Sequence, residues 1–324
     1  MNFNISEFES DITTALNNSR SKLSTGKVVD YIPELSTANP EHLGFMLKTV
    51  DNQKFSCGDT DIKFTIQSIS KVAALIIAIE TFSYDFVFDK VGMEASSAPF
   101  TELSTLDTAP HKPNNPFINA GAIVIASMLE SKYTIEEAIE IIGKYCSNPN
   151  LEIEMDVYNS EVSSNSRNHS LTWELKNLNL LSSTPSKSLE FYTRLCAINL
   201  YLEDLTNFAT LLANYGKDPE TGEQIISAKT VKVVLSIMFT CGLYNGTGSF
   251  AVKAGLAAKS GVSGGVIYVK PQEFGIATFG PALDANGNSI GGLDLVEQLS
   301  QKYNWHIFSE IAKDKNYIIQ DKQA

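Results

Sequence analysis

The apolar residues of this chain recur at helical spacing through its middle and give way to strand-like runs toward both ends. Phe8, Ile12, Ala15 and Leu16 share one helix face, and Asn4 with Glu7 is placed to cap that helix. Residues 26–40 hold two prolines and no clear period, so Tyr31-Ile32-Pro33-Glu34-Leu35 reads as extended or turn. Residues 43–50 and 53–57 are strand-like and joined by Asp51-Asn52, which predicts an antiparallel hairpin. After Gly58-Asp59, Phe64-Thr65-Ile66 runs into Gln67-Ser68. There the chain is expected to leave the sheet and enter a buried helix carrying the apolar residues 72–79.

Residues 71–215 read as almost entirely helical. Thr134 and Glu137 form a capping box for a helix with Ile135, Ala138, Ile139, Ile142 and Cys146 on one face. Pro185 opens a helix through Leu189, Tyr192, Leu195 and Cys196, and residues 202–215 form another that Gly216 ends. Two segments, 110–119 and 158–169, look irregular because small and polar residues dominate them. Beyond the turn cluster at 218–222, residues 227–240 read as one more amphipathic helix. Residues 250–254, 265–270 and 274–279 then read as strands, and 290–303 as a closing helix. The sheet is thus split in sequence around a helical insertion. The expected fold is α/β in the α+β sense: an antiparallel sheet flanked by helices, with a large helical insertion. Residues 1–66 with 217–312 would form a discontinuous sheet-and-helix domain, 67–216 a helical domain and 313–324 a polar tail that frays. An active site is expected in the cleft between the two domains.

Composition narrows the partners. The chain has 324 residues, 43% of them hydrophobic, enough for a sizeable core. A net charge of −12 repels nucleic acid and anionic membranes, so neither is expected as a partner. The longest apolar run, 72–79, is far shorter than the roughly 20 residues of a membrane span. Cys57, Cys146, Cys196 and Cys241 lie far apart, with no Cys-x-x-Cys, and read as reduced, mostly buried thiols. Met1 to Arg20 lacks the basic-then-apolar pattern of a secretion signal, so a cytoplasmic location is expected. His42, His111, His169 and His306 are scattered, which leaves no support for a Ser-His-Asp triad or a histidine metal site. No metal or organic cofactor is expected; His111 and His169 lie near candidate ligand segments.

The candidate chemistry begins at Ser68-Ile69-Ser70-Lys71. The i, i+3 spacing places an amine beside a hydroxyl, and a desolvated amine of lowered pKa can take the serine proton. A second candidate is Lys259-Ser260-Gly261-Val262-Ser263-Gly264-Gly265. Its glycines allow close backbone approach, and an edge strand there can present the Val262 N–H, with that of Ser68, to a carbonyl oxygen. Ser163-Ser164-Asn165 matches a Ser-x-Asn pattern inside a Ser/Asn-rich stretch and receives no role.

A Ser-x-x-Lys at a helix start, a Lys-Ser-Gly before a strand and a divided sheet together resemble the serine β-lactamase and penicillin-binding-protein superfamily. Seven segments in chain order narrow the resemblance to the serine-dependent glutaminases: 30–35, 67–71, 115–123, 158–168 with Ser160-Glu161 and Arg167-Asn168, 190–192, 241–244 and 259–265. The resemblance implies hydrolysis of L-glutamine to L-glutamate and ammonia through an acyl-enzyme. It implies Ser68 as nucleophile, Lys71 as its base and Tyr244 as a proton relay to the leaving ammonia. Asn119, Glu161, Asn168 and Tyr192 would hold the amino-acid end of the substrate, with Tyr31 and Gln67 beside them and Val262 in the oxyanion hole. It also implies a homo-oligomer, dimer or tetramer. A carboxylate for the α-ammonium and neutral donors for the α-carboxylate suit a zwitterion. The competing readings are a β-lactamase or peptidase and a non-catalytic amino-acid-binding protein.

Overall fold

The computed structural model describes residues 5–96, 106 and 109–309; Asn4 and the tail 313–324 lie outside them. A five-stranded antiparallel sheet forms the base. It comprises β1 (Gly44–Thr49), β2 (Lys54–Gly58), β6 (Ala257–Ser260), β7 (Gly265–Lys270) and β8 (Phe274–Phe279), in the order β2-β1-β8-β7-β6. The first hairpin pairs Gly44 with Gly58, as its sequence predicts. Strand β8 bridges this early hairpin to the late one, pairing Phe45 with Thr278 and Val266 with Thr278 on its two sides. The sheet is therefore assembled from both ends of the chain.

Alternation along the strands sorts two cores. Phe45, Leu47, Val266, Tyr268 and Ile276 face one side, where they meet α1 (Ile5–Arg20) and α12 (Ile290–Tyr303) through Phe8, Ile12, Leu295 and Leu299. Ile267, Val269, Ala277 and Phe279 face the other side and join the larger helical core. That core is centred on α2 (Ser70–Phe82), in which every residue from Ser70 to Ile79 is buried, and on α4 (Asn119–Glu130). Helix α9 (Leu202–Ala213) lies directly on β8, β1 and β7. Its Thr210 hydroxyl donates to Lys48 O at 3.2 Å. Among the described residues no helix is long and apolar enough to cross a membrane.

Helix α5 (Ile135–Cys146) carries the expected capping box, α8 (Pro185–Cys196) opens on Pro185, and α10 (Ala228–Cys241) is capped by Ser227. Three readings change. The expected strand at 250–254 is helix α11 (Thr247–Lys253), and the strand lies later, at β6. Phe250 is buried while Val252 is 79% exposed, so the apolar pair never shared a face. The Thr247 hydroxyl also accepts from Leu243 N and donates to Tyr244 O, which winds the chain at the start of α11.

The segment 158–169 is helical rather than irregular. It is the end of α6 (Met155–Ser164) and the start of α7 (Ser166–Asn177), broken at Asn165. Serine and asparagine favour helices weakly, but burial of Val157, Glu161, Asn168, Leu171 and Leu175 at helical spacing overrides that preference. The third change is a small sheet, with β3 (Phe64–Thr65) and β4 (Glu152–Ile153) antiparallel to β5 (Ile198–Leu200). Strands of two or three residues carry too little period to be read in advance.

Candidate active site

Ser68 sits on a single 3₁₀ turn, Gln67–Ile69, between β3 and α2, and is 8% exposed. The small sheet anchors this turn, since Ile66 N donates to Ile198 O at 2.8 Å. Gln67 is held at φ 47°, a left-handed conformation that a non-glycine residue adopts only where its surroundings impose it. Tyr244 is held at φ 53° in the same way. The surroundings thus hold both residues in strained backbone conformations beside Ser68.

Eight of the ten residues singled out in the sequence line one cavity of about 350 Å³: Tyr31, Gln67, Ser68, Asn119, Glu161, Asn168, Tyr192 and Val262. Lys71 is buried and Tyr244 half-buried, and neither lines it; Tyr244 borders a neighbouring cavity. Lys71 Nζ donates to Asn119 Oδ1 at 2.6 Å and to Phe117 O at 3.2 Å. Asn119 Oδ1 also accepts from the Tyr192 hydroxyl at 3.2 Å, while its Nδ2 donates to Asn168 Oδ1 at 2.9 Å. Asn119 therefore ties the lysine to two residues of the cavity wall. The Tyr244 phenol faces the hydroxyls of Ser68 and Ser260.

Close backbone packing brings the late strand to the serine. A Cβ on Gly261 would lie 2.7 Å from Ile66 O and 3.5 Å from Ser68 N, so only glycine lets β6 run into the Val262 turn against Ser68. A Cβ on Gly242 would lie 1.7 Å from Ala258 O, and its absence lets the Tyr244 turn settle on β6. Ser260 donates to Asn288 Oδ1 at 2.7 Å, and Asn288 Nδ2 donates to Leu243 O at 3.0 Å, which pins that turn.

Burial sets the proton affinities. Desolvation pulls Lys71 down to about 8, against the opposing effects of Cys196 and Glu161. Desolvation pushes Glu161 up to about 7, although a hydrogen bond from Gln67 and the charge of Lys71 both act to lower it. Burial raises Tyr244 to about 12, against hydrogen bonds with Ser68 and Ser260. The site thus holds an amine that is partly neutral near pH 8 and a phenol that keeps its proton.

Several residues at the site had no assigned role in the sequence. Lys259 is buried on β6, donates to Ser260 O at 2.6 Å and places its amine 4.7 Å from the centre of the Tyr244 ring. Desolvation first, and Lys71 second, hold its pKa well below that of an ordinary lysine. The Lys-Ser-Gly pattern was the available signal for it. Asn165, set aside with its Ser-x-Asn match, lines the cavity together with Ile32, Ser164 and Arg167. Cys196 is buried one turn after Tyr192, with its sulfur 3.8 Å from Ser70 Oγ. Of the other thiols, Cys146 is buried and Cys57 and Cys241 are partly exposed; all four are unbridged. His111 binds Leu106 O and His169 is exposed on α7, and neither lines the cavity. Among the described residues no cluster of side chains is arranged to hold a metal ion.

The family profile described as Glutaminase matches residues 26–308. A glutaminase of Clostridium tetani is 41% identical over 304 residues, covering 93% of this chain and 99% of that protein. A probable glutaminase from Bacillus subtilis, solved with 6-diazo-5-oxo-L-norleucine, superimposes with a TM-score of 0.84 at 32% identity, over 93% of this chain and 96% of that one. A Bacillus subtilis glutaminase solved as the covalent complex with 5-oxo-L-norleucine, formed by reaction with that diazo compound, also gives a TM-score of 0.84 at 32% identity, over 92% of this chain and 98% of that one. The chain shares its fold with these solved glutaminases over more than nine-tenths of its length, and it belongs to the glutaminase family.

Proposed function

We propose that this protein hydrolyses L-glutamine to L-glutamate and ammonia by attack of Ser68 Oγ on the side-chain amide carbon. The observation that carries this reading is the single cavity that joins Ser68 to a buried carboxylate and several neutral amides and phenols. Lys71 takes the serine proton, because burial leaves its amine partly neutral near pH 8. The N–H groups of Ser68 and Val262 receive the developing oxyanion. Tyr244, protonated in the free enzyme, faces Ser68; it gives its phenol proton to the departing ammonia and is reprotonated with the proton that Lys71 took from Ser68. Water then cleaves the ester, and glutamate leaves. Glu161 receives the α-ammonium, and Asn168, Tyr192, Tyr31 and Gln67 surround the amino-acid end. Asn119 holds Lys71 as well as bordering that end. The covalent complex of a Bacillus subtilis relative with 5-oxo-L-norleucine, formed by reaction with the diazo compound, supports covalent chemistry by a protein nucleophile.

The test is ammonia release by the purified protein from L-glutamine and L-asparagine side by side. Glutamine is expected to be the better substrate by about 10- to 200-fold, the range that one methylene provides. Preincubation with 6-diazo-5-oxo-L-norleucine is expected to abolish the activity and leave a covalent label on the Ser68 peptide. No ammonia from glutamine, or a label elsewhere, would overturn the proposal. We also propose a homo-oligomer, dimer or tetramer. The exposed Met155, Val162 and Trp173 on α6 and α7 support it. A monomer mass in light scattering at micromolar concentration would rule it out.

A further inference from the structure

Asn165 occupies the break between α6 and α7, with φ −97° and ψ 33°. Asparagine is among the strongest N-cap residues, because its side chain can accept from the first-turn N–H groups. It makes no such bond to α7. Its Nδ2 is instead buried without a hydrogen-bond partner, and the residue lines the cavity that contains Ser68. Four residues earlier, Glu161 Oε2 is likewise buried and unpartnered in the same cavity. One turn of chain thus shows a donor and an acceptor, both unsatisfied, to one space.

A buried polar group without a partner is destabilising, and where native proteins keep one a ligand often completes it. The neighbouring Asn119 amide is already engaged at both its oxygen and its nitrogen. Asn119 Oδ1 is taken by Lys71 and Tyr192, and Asn119 Nδ2 by Asn168 Oδ1. The ammonium and carboxylate of an amino acid leave the same carbon, so their receptor needs an acceptor and a donor side by side. Residues i and i+4 provide that arrangement.

We propose that Asn165 donates through Nδ2 to the substrate α-carboxylate while Glu161 receives the adjacent α-ammonium, which makes Asn165 a specificity residue for the amino-acid end. The proposal rests on the glutaminase reading and adds a contact to it. Giving up the cap and leaving the amide unpaired are then the structural counterpart of recognising a free carboxylate. Asn165→Asp keeps the shape and replaces the donor with a charge that repels the carboxylate. Asn165→Ala removes the amide without adding a charge.

The experiment measures KM and kcat for L-glutamine in wild type, Asn165→Ala and Asn165→Asp. Alongside, it measures the inhibition constant of 4-aminobutanamide, which is glutamine without its α-carboxylate, and the thermal midpoint of each ligand-free protein. For Asn165→Ala, KM is expected to rise about tenfold with kcat nearly unchanged, and for Asn165→Asp by about a hundredfold, as for loss or reversal of a charge-assisted hydrogen bond. The inhibition constant of 4-aminobutanamide is expected to stay within about twofold for Asn165→Ala, and the midpoint of that variant to equal or exceed wild type. The proposal is overturned if KM stays within about twofold of wild type in both variants. It is overturned equally if the 4-aminobutanamide constant rises in step with KM, or if Asn165→Asp binds glutamine more tightly, which would place the amide oxygen on the ammonium. A wild-type protein inert toward glutamine sinks the underlying reading instead, so the two failures are distinct.

Discussion

Ser68→Ala is expected to lower ammonia release from L-glutamine by about 10⁴- to 10⁶-fold, the range for removal of a nucleophile that acts as a unit with its base. In the proposed mechanism the hydroxyl oxygen forms the bond to substrate, and no other residue of the cavity is placed to replace it. The loss should fall on kcat. Glu161, Asn168 and Tyr192 hold their places through contacts that do not include the Ser68 hydroxyl, such as the link from Tyr192 to Asn119 and from Asn119 to Asn168. Glutamine is therefore expected to raise the thermal midpoint of the variant as it does that of the wild type. The variant should also take up no covalent label from 6-diazo-5-oxo-L-norleucine. Activity within about tenfold of wild type would remove Ser68 from the reaction.

The parts of this site that were legible in advance share a property: each lies on a segment whose local sequence states its own structure. Ser68 and Lys71 sit at the entry to the apolar run 72–79, and that run lies in the buried α2. Tyr192 follows Pro185 on a helix whose apolar spacing is regular, and it is buried there in the wall of the cavity. The Thr134 and Glu137 cap is read from four residues and is present. Long helices and paired strands were legible for the same reason, since their period repeats.

What stayed hidden depends on contacts between segments distant in the chain. Residues 250–254 have strand-like composition, but Phe250 packs under the sheet while the Thr247 hydroxyl and the Tyr244 carbonyl wind the chain into a helix. The Ser/Asn-rich stretch around Glu161 is helical because α4 and α8 cover it. Lys259 becomes part of the site only when β6 passes under Tyr244, and spacing alone could not place its amine against that ring. Asn165 gave no signal beyond a short common pattern. Its unpaired amide is visible only in three dimensions.

The pH dependence of kcat/KM for L-glutamine follows from two groups in the free enzyme. Lys71 must be neutral to take the serine proton, and burial brings its pKa to about 8. Glu161 must be ionised to receive the α-ammonium, and burial brings its pKa to about 7. The productive form has lost both protons, so its fraction falls with one proton between about pH 8 and 7 and with two below pH 7. At pH 6 that fraction is about a thousandth of its value at pH 9. Logarithmic plots of kcat/KM should accordingly steepen from slope one to slope two as the pH falls. Glu161→Gln should raise KM and remove the second proton, leaving slope one. The carboxylate also holds the Lys71 pKa up, so its loss should move the remaining limb to lower pH. Both changes come from one substitution and act in predictable directions. A profile flat between pH 6 and 9, or a Glu161→Gln limb that keeps slope two, would show that these two groups do not control formation of the acyl-enzyme.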